Sequence, residues 1–344
     1  MAVPMSTPMT RTTTSRLTYN SGVPRVPRRA FLRFLASAGA NAAAIGATPL
    51  ARGEGTKPGT TPLASRSPPE FRVLDLTVDG DPKIAQRFTL FIPAHLAKGE
   101  QAPLLVLLHG LGETSSPEMG VFAWLERYGL ASAYGRLRLP PLTRTSTDTT
   151  LLPDASLGAL NASLAAQPFR GMVIACPFTP NLPRAPNPAK AFDTYADWIV
   201  DVVIPRARKE APVLPDAAHT SIDGVSLGGA MGLEVFTRRP SAFVAWGGVQ
   251  SALNMGRLPA YVDALAAAAA KAPLALRKQG IFHIETSASD PFRSVNHSLS
   301  TELEKRGVAH DFVVLPGQHD QVFLREAGTL SMLLWHDRRL RAVT

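Results

Sequence analysis

Six short apolar runs punctuate this 344-residue chain, and the segments between them leave few folds open. The first, Pro103-Leu104-Leu105-Val106-Leu107-Leu108, lacks polar alternation, as expected of a strand covered on both faces of a parallel sheet. Comparable runs stand at Gly171–Ala175, Ser221–Val225, Phe243–Gly247, Ile281–Glu285 and Asp311–Leu315. Segments of helical character lie between and around them: Met119–Tyr134, Ala191–Arg208, Leu227–Arg238, Ala260–Lys271, Ser294–Arg306 and Val322–Leu340. Strands alternating with helices specify an α/β domain, a mostly parallel sheet with helices on both faces. Upstream, Phe71–Val78 and Ile84–Ile92 alternate across an Asp79-Gly80-Asp81-Pro82 turn, which predicts an antiparallel N-terminal pair. The sheet should therefore hold about eight strands.

Composition narrows the function. Hydrophobic residues make up 45% and charged ones 18%, enough for a sizeable core. The net charge of +9 looks like a nucleic-acid signature until it is mapped. Six arginines and no acidic residue lie in 1–51, which leaves 30 basic against 27 acidic groups elsewhere, a net of +3. No Lys/Arg block with interleaved aromatics is present, so no nucleic-acid partner is expected. The single Cys176 excludes an internal disulfide and a cysteine metal site, and it follows the apolar Met172–Ala175, so a buried core thiol is expected.

The arginines of 1–51 include Arg28-Arg29-Ala30-Phe31-Leu32-Arg33, followed by an uncharged, alanine-rich run from Phe34 to Ala47. This resembles a twin-arginine export signal and departs from its usual pattern at Pro27, where Ser or Thr is common. Fourteen uncharged residues are short for a membrane span of about 20, so a secretory segment fits better, with a retained N-terminal anchor as the alternative. Cleavage is expected between Ala44 and Ala51, leaving no stable membrane span. By this resemblance the chain is a passenger of the bacterial twin-arginine machinery and ends up periplasmic or secreted. Residues 52–69 read as a Gly/Pro/Thr/Ser linker, and 70–344 as the folded α/β domain. Within it, 135–167 is Pro/Thr/Leu-rich without a strand signal, and reads as a lid or substrate-shaping insert, with a plain surface loop as the alternative.

Chemistry is written at Asp223-Gly224-Val225-Ser226-Leu227-Gly228-Gly229, a G-x-S-x-G pattern between a strand and a helix. Such a turn exposes a serine Oγ, and it needs small residues on both sides, here Gly224 and Gly228. The serine then needs a base and an orienting acid at neighbouring strand ends. His319 directly follows the last strand, whereas the other seven histidines lie within elements, before strands or early in the chain. Asp290 follows the penultimate strand and is the favoured acid. It could instead cap the next helix, with Glu285 and Asp320 as substitutes.

The order Ser226, Asp290, His319 is that of α/β-hydrolases. From Leu104 to His319, about two thirds of the chain, the sequence resembles α/β-hydrolase fold esterases, the branch with esterase D, feruloyl esterases and polyhydroxyalkanoate depolymerases. Leu107–Gly112, Tyr195–Pro205, Gly224–Gly229, the loop at Asp290 and Gly317–His319 carry it. The resemblance implies backbone N–H groups of Leu227 and Leu111 as the oxyanion hole, and a small or polymeric ester as substrate. No phosphate-binding, dinucleotide or H-E-x-x-H pattern occurs, and the implied reaction needs neither cofactor nor metal. An acyltransferase and a peptidase or amidase could use the same triad. A catalytically silent envelope binding protein could retain the fold. The proline-rich loops at Pro177–Pro183 and Ala185–Pro188 could line the site or be plain turns.

Overall fold

The computed structural model describes residues 71–147 and 149–341; the expected export signal and linker at 1–51 and 52–69 lie outside them. The strands are β1 (Phe71–Thr77), β2 (Arg87–Pro93), β3 (Leu104–Leu108), β4 (Val173–Pro177), β5 (Thr220–Gly224), β6 (Ala245–Val249), β7 (Phe282–Ser289) and β8 (Asp311–Gln318). They form one eight-stranded sheet in the order β1-β2-β4-β3-β5-β6-β7-β8 among the described residues. β1 and β2 pair antiparallel, β2 also runs antiparallel to β4, and the remaining pairs are parallel. Every residue of β3, β4, β5 and β6 is buried; β3 and β4 are accordingly continuous apolar runs, while β5 buries Thr220, Ser221 and Asp223 as well. This is the expected α/β-hydrolase architecture.

The helices are α1 (Pro117–Glu126), α2 (Leu130–Arg138), α3 (Asp154–Ala166), α4 (Pro188–Trp198), α5 (Ile204–Glu210), α6 (Leu227–Arg238), α7 (Leu258–Lys271), α8 (Leu274–Gln279), α9 (Arg293–Lys305), α10 (Gln321–Phe323) and α11 (Thr329–Arg341). Contacts among them sort α1, α2 and α11 to one face of the sheet and α4, α6, α7 and α9 to the other. Side chains on β5 alternate accordingly: Ile222 lies level with Trp246 beside Gly232 of α6, and Asp223 points toward α11.

Several boundaries differ from the periodicity for local reasons. The expected helix Met119–Tyr134 is two helices, because Gly129 adopts φ +77 with Arg325 packed against its Cα. The first begins where Ser116 accepts from the Met119 N–H with Pro117 at the first position. Ala191–Arg208 starts earlier, at Pro188 behind the Asn187 cap, and passes through a π-turn at Ile199–Val203. Pro205 has no N–H to donate to the carbonyl one turn back, and the ladder shifts there. A second π-turn, Leu324–Gly328, interrupts Val322–Leu340.

The insert at 135–167 contains a helix that periodicity did not reveal. In α3 Leu164 alone is fully buried, so its apolar stripe is too thin to stand out. The stretch is clamped onto the domain: Arg136 and the backbone N–H of Thr145 both donate to the buried Glu326 carboxylate. Asn161 accepts from the Leu142 N–H and Arg138 donates to the Phe169 carbonyl. Cys176 is a buried core thiol, as expected, and burial pushes it up to about 12.

Candidate functional site

Ser226 occupies the turn between β5 and α6 with φ 55° and ψ −115°, a strained conformation for a residue with a side chain. The two glycines around it are set by space. A Cβ on Gly224 would fall on the backbone of Gly228, and one on Gly228 would fall on the Leu108 and His109 carbonyls. The turn is therefore wedged against the end of β3. Backbone bonds hold it there: the Ser226 N–H donates to Val249 O at 2.9 Å, Ala252 N–H to Ser226 O at 2.9 Å, and Gly228 N–H to Val225 O at 2.7 Å.

His319 and Asp290 reach this turn from the ends of β8 and β7. His319 Nε2 stands 3.0 Å from Ser226 Oγ, and its Nδ1 stands 2.9 Å from Asp290 Oδ1. The Asp290 side chain is sealed from solvent, whereas the His319 side chain is 26% exposed. Burial alone would raise the Asp290 pKa. Hydrogen bonds from His319, from the Thr286 hydroxyl at 2.6 Å and from the Phe292 N–H at 3.0 Å outweigh it and hold the carboxyl below its ordinary value. An ionised Asp290 accepts from Nδ1–H, which leaves the Nε2 lone pair facing the serine hydroxyl. Phe292 sets its ring edge-on to the imidazole at 5.4 Å between centroids. The substitutes do not reach: Asp320 caps α10 by accepting from the Phe323 N–H, and Glu285 is buried beside His283.

The Leu111 and Leu227 N–H groups have no acceptor among the described residues. Leu111 opens a single turn after β3, and its loop is braced from below. The Thr179 N–H donates to His109 Nε2 at 2.8 Å, so the proton of this imidazole is on Nδ1, which donates to Gly110 O at 2.9 Å. Burial lowers the His109 pKa to about 4 and keeps it neutral. Thus the Pro177–Pro183 loop supports the His109 loop through Thr179. The Gly110 N–H donates to the Tyr128 hydroxyl, which in turn donates to Glu113.

Gln250 and Thr286 belong to the site and carried no signal in the sequence. Gln250 sits at φ 50° after β6, and its Nε2 donates to Ser287 Oγ at 2.7 Å and to Gln318 O at 2.8 Å, bracing the residue before His319. The insert meets the same segment, since Gly317, at φ 133°, has no room for a Cβ beside Leu151 and Phe323. Trp246 is fully buried core. A cavity of about 110 Å³ lined by Leu96, Pro103, Met172, His219 and Asp337 lies at the amino ends of the parallel strands, the opposite edge from Ser226. Among the described residues no group of three His, Cys, Asp or Glu side chains is arranged to hold a metal ion, and no helix is long and apolar enough to cross a membrane.

No protein-family model and no curated protein sequence matches the chain. Solved structures do. A ferulic acid esterase superposes with a TM-score of 0.57 at 19% identity, over 78% of this chain and 98% of the esterase. The fluorophosphonate-binding serine hydrolase F of Staphylococcus aureus, solved with substrate bound, gives 0.52 at 15% identity over 78% and 98%. At these identities the likeness shows a shared α/β-hydrolase fold.

Proposed function

We propose that this chain is an exported serine hydrolase that cleaves carboxylic esters through an acyl-serine intermediate. One observation carries the reading: a half-buried serine in a strained turn, an imidazole 3.0 Å away, and a sealed carboxylate 2.9 Å behind the imidazole. In the proposed reaction His319 Nε2 takes the Ser226 proton as Oγ attacks the ester carbonyl. The developing oxyanion is met by the Leu227 and Leu111 N–H groups, and donors of this kind are worth ~3 kcal/mol each. Asp290 holds the Nδ1–H and stabilises the imidazolium. His319 then returns the proton to the leaving alkoxide as the C–O bond breaks. A water, deprotonated by the same imidazole, adds to the acyl-enzyme and releases the acid and the free serine. An ester-cleaving role is consistent with the fold shared with a ferulic acid esterase.

The deciding experiment is labelling by a fluorophosphonate, with turnover of a chain-length series of p-nitrophenyl esters, on wild type, Ser226→Ala and His319→Ala. Label confined to wild type, with ester turnover to free acid, is expected; label surviving in Ser226→Ala would falsify the assignment. Acyl transfer to an added alcohol outrunning hydrolysis would make the chain a transferase. Faster cleavage of matched amides would make it an amidase. Export rests on Arg28–Arg33 and the uncharged run after it. Changing both Arg28 and Arg29 to Lys should retain the protein inside the cell, and unchanged export would rule this route out.

A further inference from the structure

Another histidine–carboxylate pair lies behind the nucleophile turn and touches none of the reacting groups. His336 of α11 donates through Nε2 to Asp223 Oδ2 at 2.7 Å, and both side chains are fully sealed from solvent. The other oxygen of the same carboxylate accepts the Gly224 N–H at 2.6 Å. Burying such a pair is costly, and apolar residues of similar volume would serve stability equally well. The fold nevertheless makes room for it: β6 carries Gly247 where any Cβ would collide with the Asp223 carboxylate.

We infer that Asp223 and His336 are a positioning pair for the nucleophile, locking the last residue of β5 from the α11 side so that the strained Ser226 turn is held in register with its base. The inference rests on the reading of Ser226 as nucleophile. Ser226 at φ 55° persists only if its surroundings over-determine it. The backbone bonds already described fix Val225, Ser226 and Gly228; Asp223 fixes Gly224, the residue that must lie flush against Gly228.

The groups facing the pair are disposed to leave it undisturbed. On β7, Glu285 is pushed well above the ordinary carboxyl range by burial, with the neighbouring Asp223 charge adding to it. His283, stacked on Trp335 at 5.0 Å, is lowered to about 3 by burial, then by His336 and Arg339, and stays neutral. Arg339 itself is paired with Asp311. The C-terminal segment thus supplies His319 in front of the sheet edge and His336 behind it, so α11 is coupled to the turn its own upstream loop serves.

The test uses the full chain and separates the maximal rate of fluorophosphonate labelling from its half-saturation. Asp223→Asn keeps a carbonyl oxygen for the Gly224 N–H but loses the charge; Asp223→Leu loses both; His336→Gln removes the partner. Val173→Ala, in the fully buried β4, serves as a control that costs stability away from the turn. We expect the maximal rate to fall about ten-fold in His336→Gln and Asp223→Asn at unchanged half-saturation. It should fall further in Asp223→Leu, and the double variant Asp223→Asn/His336→Gln should be no worse than its worse parent. Val173→Ala should melt earlier yet label like wild type. If Asp223→Leu does not fold, the Asn and Gln variants still decide. Folded Asp223→Asn and His336→Gln labelling at the wild-type rate would overturn the inference alone, as would a rate loss that merely tracks melting temperature as in Val173→Ala. A wild type that does not label at Ser226 would instead remove the hydrolase reading on which it stands.

Discussion

Two imidazole–carboxylate pairs of this molecule, His319–Asp290 and His336–Asp223, stand in surroundings that give them opposite characters. His319 and Asp290 meet at the open edge of the sheet, where the imidazole keeps 26% of its surface in solvent and its far nitrogen faces a hydroxyl. His336 and Asp223 meet between α11 and the sheet with no exposure at all. Asp290 gathers donors from His319, Thr286 and the Phe292 backbone, and these overcome burial and lower its pKa. Asp223 has fewer; burial prevails over the His336 and Gly224 hydrogen bonds and its pKa is raised. Residue identity does not distinguish the pair proposed to transfer a proton from the pair proposed to brace the turn. The number of donors around the carboxylate, and what stands on the far side of the imidazole, do.

The comparison is broken most severely by deleting the group that only the front pair serves. Ser226→Ala should lower ester turnover by at least ~10⁴-fold with little effect on melting temperature, since the serine is half-buried and its Oγ contact is to His319. Steady-state kinetics with thermal melts checks both halves. Next comes Asp290→Asn, which preserves shape but offers an amide where Nδ1–H needs an acceptor. A loss of about 10³–10⁴ in kcat is expected, and a loss below ten-fold would mean that Asp290 is not the orienting acid. The back pair should be far less sensitive, with the ten-fold effect given above for Asp223→Asn.

Acid–base linkage separates buried carboxyls more gently. Asp290 binds its proton less tightly folded than unfolded. Its ionised form therefore stabilises the native state above the unfolded value of about 3.9, and that contribution fades as pH falls through the depressed one. Asp290→Asn should melt below wild type at pH 7, and the gap should narrow as pH drops toward 3. Glu285 behaves oppositely. Its folded pKa is raised, so the native state loses stability as pH climbs above the unfolded value of about 4.3. Glu285→Gln should melt alongside wild type near pH 4 and above it at pH 8. Parallel melting curves for both variants across this range would show that neither carboxyl is perturbed.

Much of this was legible before any coordinates. The turn at Gly224–Gly228, the strand before it and the helix Leu227–Arg238 appear where the pattern puts them, because steric need and periodicity are local properties. His319 and Asp290 could be chosen as the histidine and acid immediately following the last two strands. Gln250 and Glu326 were invisible: a polar residue after a strand or within a helix says nothing about which distant carbonyl or guanidinium it will meet. The expectation of a lid at 135–167 met a stretch carrying its own helix and pinned through Thr145 and Arg136 to the segment after His319.

Continuous apolar runs, 3.6-residue periodicity and paired glycines act within a few residues of themselves, so the sheet, the helices that cover it and the serine turn could be read without any long-range contact. Which histidine faces a hydroxyl, which is sealed behind Gly247, and which carboxylate is held ionised were settled by packing between distant elements. Those outcomes depend on donors and burial contributed by elements up to 113 residues apart in the chain, as Asp223 and His336 are, and electrostatics of that kind exists only once the strands and helices have been brought together.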